Sequence, residues 1–211
     1  MQAQLINYFG DDLMVINAAR VSYGKEKSTF DEKDEKLINF LVEHKHVAPF
    51  RHPQLQFRIE CPIFVERQLF KHQIGMSSNS ISGRYVDFSD NYFIIEKLRK
   101  QSKSSKQGSE GEIDNPELLE KISNFVKQSS LLYKELCDAG VAKEQARAIL
   151  PLCLETQFIW TGSLLSFLNF WNLRLKPDTQ EETRIIALKM LNLVKSIEGN
   201  PFEFSLKSFN L

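Results

Sequence analysis

Residues 54–71, QLQFRIECPIFVERQLFK, change hydrophobic period in mid-stretch, and this switch constrains the fold more than any other feature of the chain. Leu55, Phe57 and Ile59 alternate with polar neighbours, the pattern of a strand with one buried face. From Pro62 the spacing turns helical. Proline suits the first turn of a helix, and a helix running to about Lys71 brings Phe64, Gln68 and Lys71 near one another, with Arg67 beside Lys71. The chain therefore needs both a sheet and helices.

The same periods and their stop signals place the other elements. Residues 2–9 read as a short strand, and Asp11 or Asp12 can cap a helix reaching Arg20. DEKDEKLINFLVEHK (31–45) opens on acids and carries Leu37, Phe40 and Leu41 at helical spacing. Helices are also predicted over about 116–139, ended by Gly140, and over 143–150, 163–174 and 179–197. RKQSKSSKQGSEGEIDNP (99–116) is polar, rich in Ser and Gly and without period, so it reads as a mobile surface loop, or a lid if it covers a site. No internal repeat is seen. The expected class is α+β: a helix-rich single domain over residues 1–211 with a small, mostly antiparallel sheet.

Composition narrows the function classes. Sixteen Phe residues supply a generous core, and 27 Lys+Arg balance 27 Asp+Glu, which argues against a general polyanion-binding surface and so against a nucleic-acid module. Cys61, Cys137 and Cys153 are an odd number without metal-ligand spacing and read as buried, reduced thiols of a cytosolic protein. His44, His46, His52 and His72 form no metal pattern with carboxylates or thiols, so no metal is expected. The opening MQAQLINYFGDD lacks the marks of a signal peptide, and no apolar run is long enough to span a membrane; a cytoplasmic location is expected, in a host cell if the chain is phage-encoded.

The chemistry concentrates in FKHQIGMSSNSISGRY (70–85). Lys71 and Arg84 bring cations, while Ser77, Ser78, Ser80 and Ser82 bring hydroxyls and backbone N–H groups, a set suited to a phosphate. The same residues equally suit a serine-rich turn with solvated cations. Arg147 in EQARAILPL and Arg174 in FLNFWNLRL stand among apolar residues, where a guanidinium needs a ligand, an ion-pair partner or a route to water.

Six stretches in series, AARVSY (18–23), HKHVAPFRH (44–52), PIFVERQLFKHQ (62–73), NSISGRY (79–85), ARAILPL (146–152) and NFWNLR (169–174), resemble the flavin-dependent thymidylate synthases in order and spacing. The resemblance implies an FAD-containing homotetramer that methylates dUMP to dTMP, with methylenetetrahydrofolate as carbon donor and NADPH as reductant. It implies dUMP contacts at Gln68, Leu69, Phe70, Lys71, Ser80, Ile81, Ser82, Gly83, Arg84, Arg147 and Arg174. It implies FAD contacts at Ser22, His46, Lys71, His72, Gln73, Asn79, Ser163 and Asn169. Arg174 matches the residue that engages the uracil ring and favours its ionisation, which makes it the expected catalytic group.

The chain departs from the usual family pattern. Lys71-His72-Gln73 stands where Arg-His-Arg is usual, and one extra residue precedes Ser82. Ser80 stands where many members have Glu, Ala48 where many have Thr and Ser163 where many have Asn. Such a triplet resembles a divergent branch of the family. It also motivates an alternative: a related flavoenzyme acting on another pyrimidine nucleotide or transferring a hydroxymethyl group.

Overall fold

A computed structural model describes residues 1–87 and 91–211. In chain order its elements are β1 (Gln2–Phe9), α1 (Asp12–Arg20), α2 (Glu32–Glu43), β2 (Gln54–Pro62), α3 (Ile63–Leu69), β3 (Met76–Ser80), β4 (Leu98–Gln101), β5 (Ser109–Ile113), α4 (Pro116–Asp138), α5 (Lys143–Ala146), β6 (Glu155–Ser163), α6 (Leu164–Arg174), α7 (Glu181–Lys195) and α8 (Glu203–Ser208). Short 3-10 turns occupy Val21–Tyr23, Ala48–Arg51 and Arg147–Ile149. The class is the expected one, helix-rich α+β with a small antiparallel sheet.

The main sheet has strand order β1-β2-β6-β3. Its antiparallel register shows in paired side chains: Gln56 Nε2 donates to Thr161 Oγ1 at 2.9 Å, and Gln157 Nε2 to Glu60 Oε1 at 2.6 Å, across β2 and β6. β3 also pairs antiparallel with β6, since Gly75 O accepts from Ser163 N and Gln157 O from Ile81 N. Leu55, Phe57, Ile59 and Cys61 are fully buried on one face of β2, as the alternation in the sequence requires.

Local chemistry fixes the helix starts. The Asp11 carboxylate accepts from Met14 N at 2.7 Å and caps α1, while Asp31 and Asp34 form a reciprocal capping box on α2. Asn115 caps α4 by accepting from Leu118 N at 3.0 Å, leaving Pro116 in the first turn where it needs no donor.

Several elements differ from expectation. Pro62 ends β2 in an extended conformation instead of opening the helix, and α3 stops at Leu69, short of Lys71. The helix expected over 143–150 divides into the single turn α5 and a 3-10 turn, because Pro151 forces Leu150 to the extended backbone seen there. The stretch read as an irregular polar loop is a hairpin, with Leu98 opposite Ile113 and Gln101 opposite Ser109. Gln101 Nε2 closes its tip by donating to the carbonyls of Ser105, Lys106 and Gly108 at 3.3, 3.3 and 3.1 Å. A ladder built from backbone bonds with polar side chains outward leaves no hydrophobic period to read. β3, β6 and α8 were not anticipated.

The chain folds as two compact units. The first comprises Met1, Glu60–Phe70 and Ser80–Phe158; the second comprises Gln2–Ile59, Lys71–Asn79 and Ile159–Leu211. In the first, the Phe70 ring meets Phe158 edge-on at 4.9 Å and Phe64 meets Phe93 at 5.7 Å. Buried Ser129 of α4 donates to Ile149 O at 2.9 Å and anchors the 3-10 turn that begins at Arg147. In the second, Trp160 packs edge-on against Phe167 at 5.3 Å and Phe170 at 5.2 Å, giving β6 and α6 an aromatic core. Buried Asp12 ties the start of α8 by accepting from Phe204 N at 2.7 Å and Ser205 N at 3.2 Å and from the Ser205 hydroxyl; burial raises its carboxyl to about 6 against these bonds.

Candidate functional site

In the first unit α3 delivers Gln68, Leu69 and Phe70. Leu69 is fully buried, so only its backbone groups can face a ligand, while the half-buried Phe70 packs its ring edge-on against Phe158. After β3 the chain enters a turn at Ser82–Tyr85, where Ser82 O accepts from Tyr85 N at 2.9 Å and from Val86 N at 3.0 Å. The Ser82 hydroxyl accepts from Arg84 N at 3.3 Å, a serine turn of the kind the sequence suggested. Arg84 is exposed, with its guanidinium carbon 5.5 Å from the centre of the Tyr85 ring. Arg147 is also exposed, at the head of its 3-10 turn, so neither arginine is a buried ion pair.

Ser80 brings a residue that sequence reading did not select. Its hydroxyl donates to Glu66 Oε1 at 2.7 Å, so a carboxylate from α3 stands beside the position where many family members carry Glu. Burial raises the Glu66 carboxyl; the Ser80 hydrogen bond and Arg67 oppose the shift. Gly83 is buried and Ile81 is exposed, its N–H engaged by Gln157 O at 2.8 Å.

In the second unit the segment Lys71–Gly75 leaves Lys71 and Gln73 exposed and turns His72 inward. Gly75 adopts φ +68, and a Cβ there would come within 2.5 Å of Ser166 Oγ, so the turn requires glycine. The Ser166 hydroxyl lies 2.9 Å from Ile74 O and 3.3 Å from Gly75 O, and Ser163 N donates to Gly75 O at 3.2 Å. The start of α6 thus fastens this segment. Its end receives His72: Arg174 Nε donates to His72 Nε2 at 2.9 Å, and the imidazole meets Phe170 edge-on at 5.0 Å. Burial, with the Arg174 charge second, pushes His72 down to about 4, so it is neutral near pH 7. Burial also lowers Arg174, without threatening the charge of a guanidinium.

The remaining expected flavin contacts separate into two kinds. Asn79 on β3, Asn169 on α6, Ser22 and His46 are exposed; the Ser22 hydroxyl donates to Ala19 O at 3.0 Å, and the His46 ring lies 6.1 Å from Phe40. Ser163 is buried, its hydroxyl accepting from Ser166 N at 3.3 Å and paired with Ser166 Oγ at 2.7 Å as the cap of α6. Asn169 and Arg174, five residues apart, lie on different faces of the helix, whereas Phe170, four before Arg174, shares its face. The exposed set offers a cation, amides, a hydroxyl and an imidazole, donor and acceptor types that fit a dinucleotide with a polar heteroaromatic ring. Ser163, already satisfied, does not add to it.

Of the three thiols expected to be buried, only Cys61 is; Cys137 and Cys153 are half-buried. Cys61 is fully buried, and burial raises its thiol far above the ordinary range; burial also raises Cys153.

Residues 4–198 match the family described as thymidylate synthase complementing protein. A flavin-dependent thymidylate synthase of Thermosipho africanus is 41% identical over 208 residues, covering 97% of this chain and 90% of that protein. That of Kosmotoga olearia is 42% identical over 196 residues, covering 92% and 84%. Among solved structures, the UMP/dUMP methylase PolB of Streptomyces cacaoi bound with 5-Br dUMP shares the fold, with a TM-score of 0.88 at 24% identity over 99% of this chain and 94% of that one. With the match running through α1, the His72 segment, the Ser82 turn and α6, the chain belongs to the flavin-dependent thymidylate synthase family.

Proposed function

We propose that the chain is a methyltransferase that converts dUMP to dTMP, with FAD as its flavin, methylenetetrahydrofolate as carbon donor and NADPH as reductant. The observation that carries this reading is 41% identity to a flavin-dependent thymidylate synthase across 97% of the chain. In the reaction, uracil C5 bonds to the one-carbon unit, the C5 hydrogen leaves as a proton and the folate N–CH2 bond breaks. Two electrons from NADPH complete the methyl group, leaving dTMP, tetrahydrofolate and NADP+. Bound FAD supplies the carrier for those two electrons.

The chain's own residues divide the remaining work. In the first unit, Arg84 and Arg147 present guanidinium forks to a phosphate, with Gln68, Ser80, Ser82 and the backbone at Leu69, Phe70, Ile81 and Gly83 as directed polar groups. In the second, Lys71 serves the nucleotide, while His72, Gln73, Asn79, Asn169, Ser22 and His46 serve the flavin. Arg174 opposes the negative charge that grows on the pyrimidine ring. Uracil C5 is a poor nucleophile, and a guanidinium aimed at charge developing on the ring raises its reactivity.

A homotetramer fits the surface. Phe9, Ile74 and Phe125 are 61%, 88% and 61% exposed, and Leu118, Phe125 and Leu132 form a stripe at seven-residue spacing along α4. Among the described residues no helix is long and apolar enough to cross a membrane, in keeping with action on soluble nucleotides in the cytoplasm.

Protein loaded with FAD should bleach under NADPH and form dTMP only when dUMP and methylenetetrahydrofolate are both added. Failure to take up flavin, or a product from dUMP whose mass is not that of dTMP, overturns the proposal.

A further inference from the structure

We propose that His72 is the positioning residue for Arg174: its unprotonated Nε2 receives the Arg174 Nε–H, fixes the plane of the guanidinium and holds the imidazole proton on Nδ1. The inference rests on the reading of Arg174 as the group that meets the uracil ring. Three observations carry it.

The first is the bond itself, 2.9 Å between two nitrogens. Arginine Nε always carries hydrogen and never accepts, so His72 Nε2 must be the bare nitrogen. A single in-plane donor at Nε also restricts rotation of the whole planar fork, which a bond through one terminal nitrogen would do less well.

The second is the support behind the imidazole. The His72 ring abuts Phe170, which is fully buried and packed on Trp160 at 5.2 Å. Phe170 lies one turn before Arg174 on α6, so the ring is braced by the same helix face that carries its donor.

The third is the anchoring of the segment. Ser163 and Ser166, at the start of α6, hold Gly75 and Ile74, three and two residues beyond His72. One rigid helix of about 15 Å therefore fixes the histidine's chain at its first turn and meets the histidine's ring at its last. A guanidinium on a long flexible stem would otherwise sample many rotamers; here it is pre-organised for a charge that appears only in the transition state. The neutral state favoured by burial agrees, because a protonated imidazole would set two cations and two donors against each other.

His72→Phe keeps the ring volume and removes the acceptor, whereas His72→Gln retains a carbonyl oxygen near the place of Nε2. With every variant brought to full flavin occupancy, His72→Phe should lose on the order of 10²-fold in kcat, the cost of a misplaced group, while its Kd for dUMP stays near wild type. His72→Gln should recover most of the loss. Adding Arg174→Lys to His72→Phe should cost little more, since the two act as one unit. Nitrogen-15 spectra of labelled histidine in the wild-type protein, with no substrate added, should show His72 neutral with its proton on Nδ1. Full turnover by His72→Phe, failure of His72→Gln to recover, or an Nε2–H tautomer overturns the inference. Because the spectra need no catalysis, the inference and the proposed reaction fail separately; if His72→Phe does not fold, the spectra and His72→Gln decide.

Discussion

The turn at Ser82–Tyr85 and the His72–Arg174 pair present the same kinds of side chain in opposite ways. In the turn, Arg84 stands in solvent beside an equally exposed Tyr85, held by bonds that span only two to four residues. In the second unit, Arg174 is half-buried and its partner comes from 102 residues away in sequence, backed by an aromatic core and a fastened glycine turn. Exposure suits a group that must capture a phosphate and release it. Fixation suits a group whose value lies in stabilising charge without reorganising. On the proposed reading, the exposed arginine of the turn captures the phosphate, while the fixed arginine of the pair assists the chemistry.

The largest expected effect tests the fixed side. Arg174→Lys keeps the positive charge but loses the planar fork and the Nε donor to His72. Turnover should fall by roughly two orders of magnitude or more, the scale of one lost transition-state donor, with flavin and dUMP still bound. Normal turnover at saturation, measured by single-turnover flavin oxidation, would break the contrast at its centre.

On the exposed side, Arg84→Ala and Arg147→Ala should each weaken dUMP binding by roughly 10- to 100-fold, as expected for a lost charge-assisted hydrogen bond. Turnover at saturating dUMP should be little changed. Titration of dUMP against flavin absorbance gives the first quantity and steady-state assays the second. A collapse of kcat with unaltered affinity would reverse the roles assigned to the two regions.

How far these regions could be read in advance differs for the same physical reason. The serine turn is local, so Ser82 and Arg84 showed their character from spacing alone, as did the capped helices α1 and α2 and the alternating strand β2. The His72–Arg174 contact leaves no local trace: Arg174 stood out by its apolar neighbours and His72 by resemblance, and nothing paired them. Glu66 was overlooked because its partner Ser80 lies 14 residues on, across a turn that the sequence does not draw. β3, MSSNS, has no buried side-chain period and exists only because its backbone pairs with β6. β6 did carry a signal, since Thr156, Phe158, Trp160 and Gly162 alternate and are buried, but its apolar residues run into those of α6 and hid the boundary.

A smaller effect sharpens the claim that the second unit is fixed by its turn. Gly75→Ala places a Cβ at positive φ and within 2.5 Å of Ser166 Oγ. The left-handed backbone alone costs about 1–2 kcal/mol for a residue with a side chain. For a chain of this size, that corresponds to a drop of about 2–8 °C in Tm. Because the strain falls three residues from His72, kcat should decline more than dUMP affinity does. Calorimetry and steady-state kinetics on the same preparation check both parts. An unchanged Tm would show that the turn is not the clamp described.

The smallest effect is expected at the cysteines, and it guards the contrast from the other side. A thiolate attacking uracil C6 would give the first unit a covalent role and end its description as a binding region. Cys61 is fully buried on β2, where burial comes first and the carboxylates of Glu66 and Glu155 second in raising its thiol far above the neutral range. Cys153 is also raised by burial, so neither offers appreciable thiolate near pH 7. The triple variant Cys61→Ser, Cys137→Ser, Cys153→Ser should therefore form dTMP at close to the wild-type rate. Replacing buried Cys61 with Ser introduces a hydroxyl into an apolar strand face and costs about 1–3 kcal/mol, so the assay belongs well below the lowered Tm, with flavin content verified. Cys61→Ala, which adds no polar group, separates packing from chemistry. Loss of all dTMP formation in a folded, flavin-loaded triple variant, repeated in the Cys61→Ala background, would place covalent chemistry in the first unit and leave Arg174 as an accessory to it.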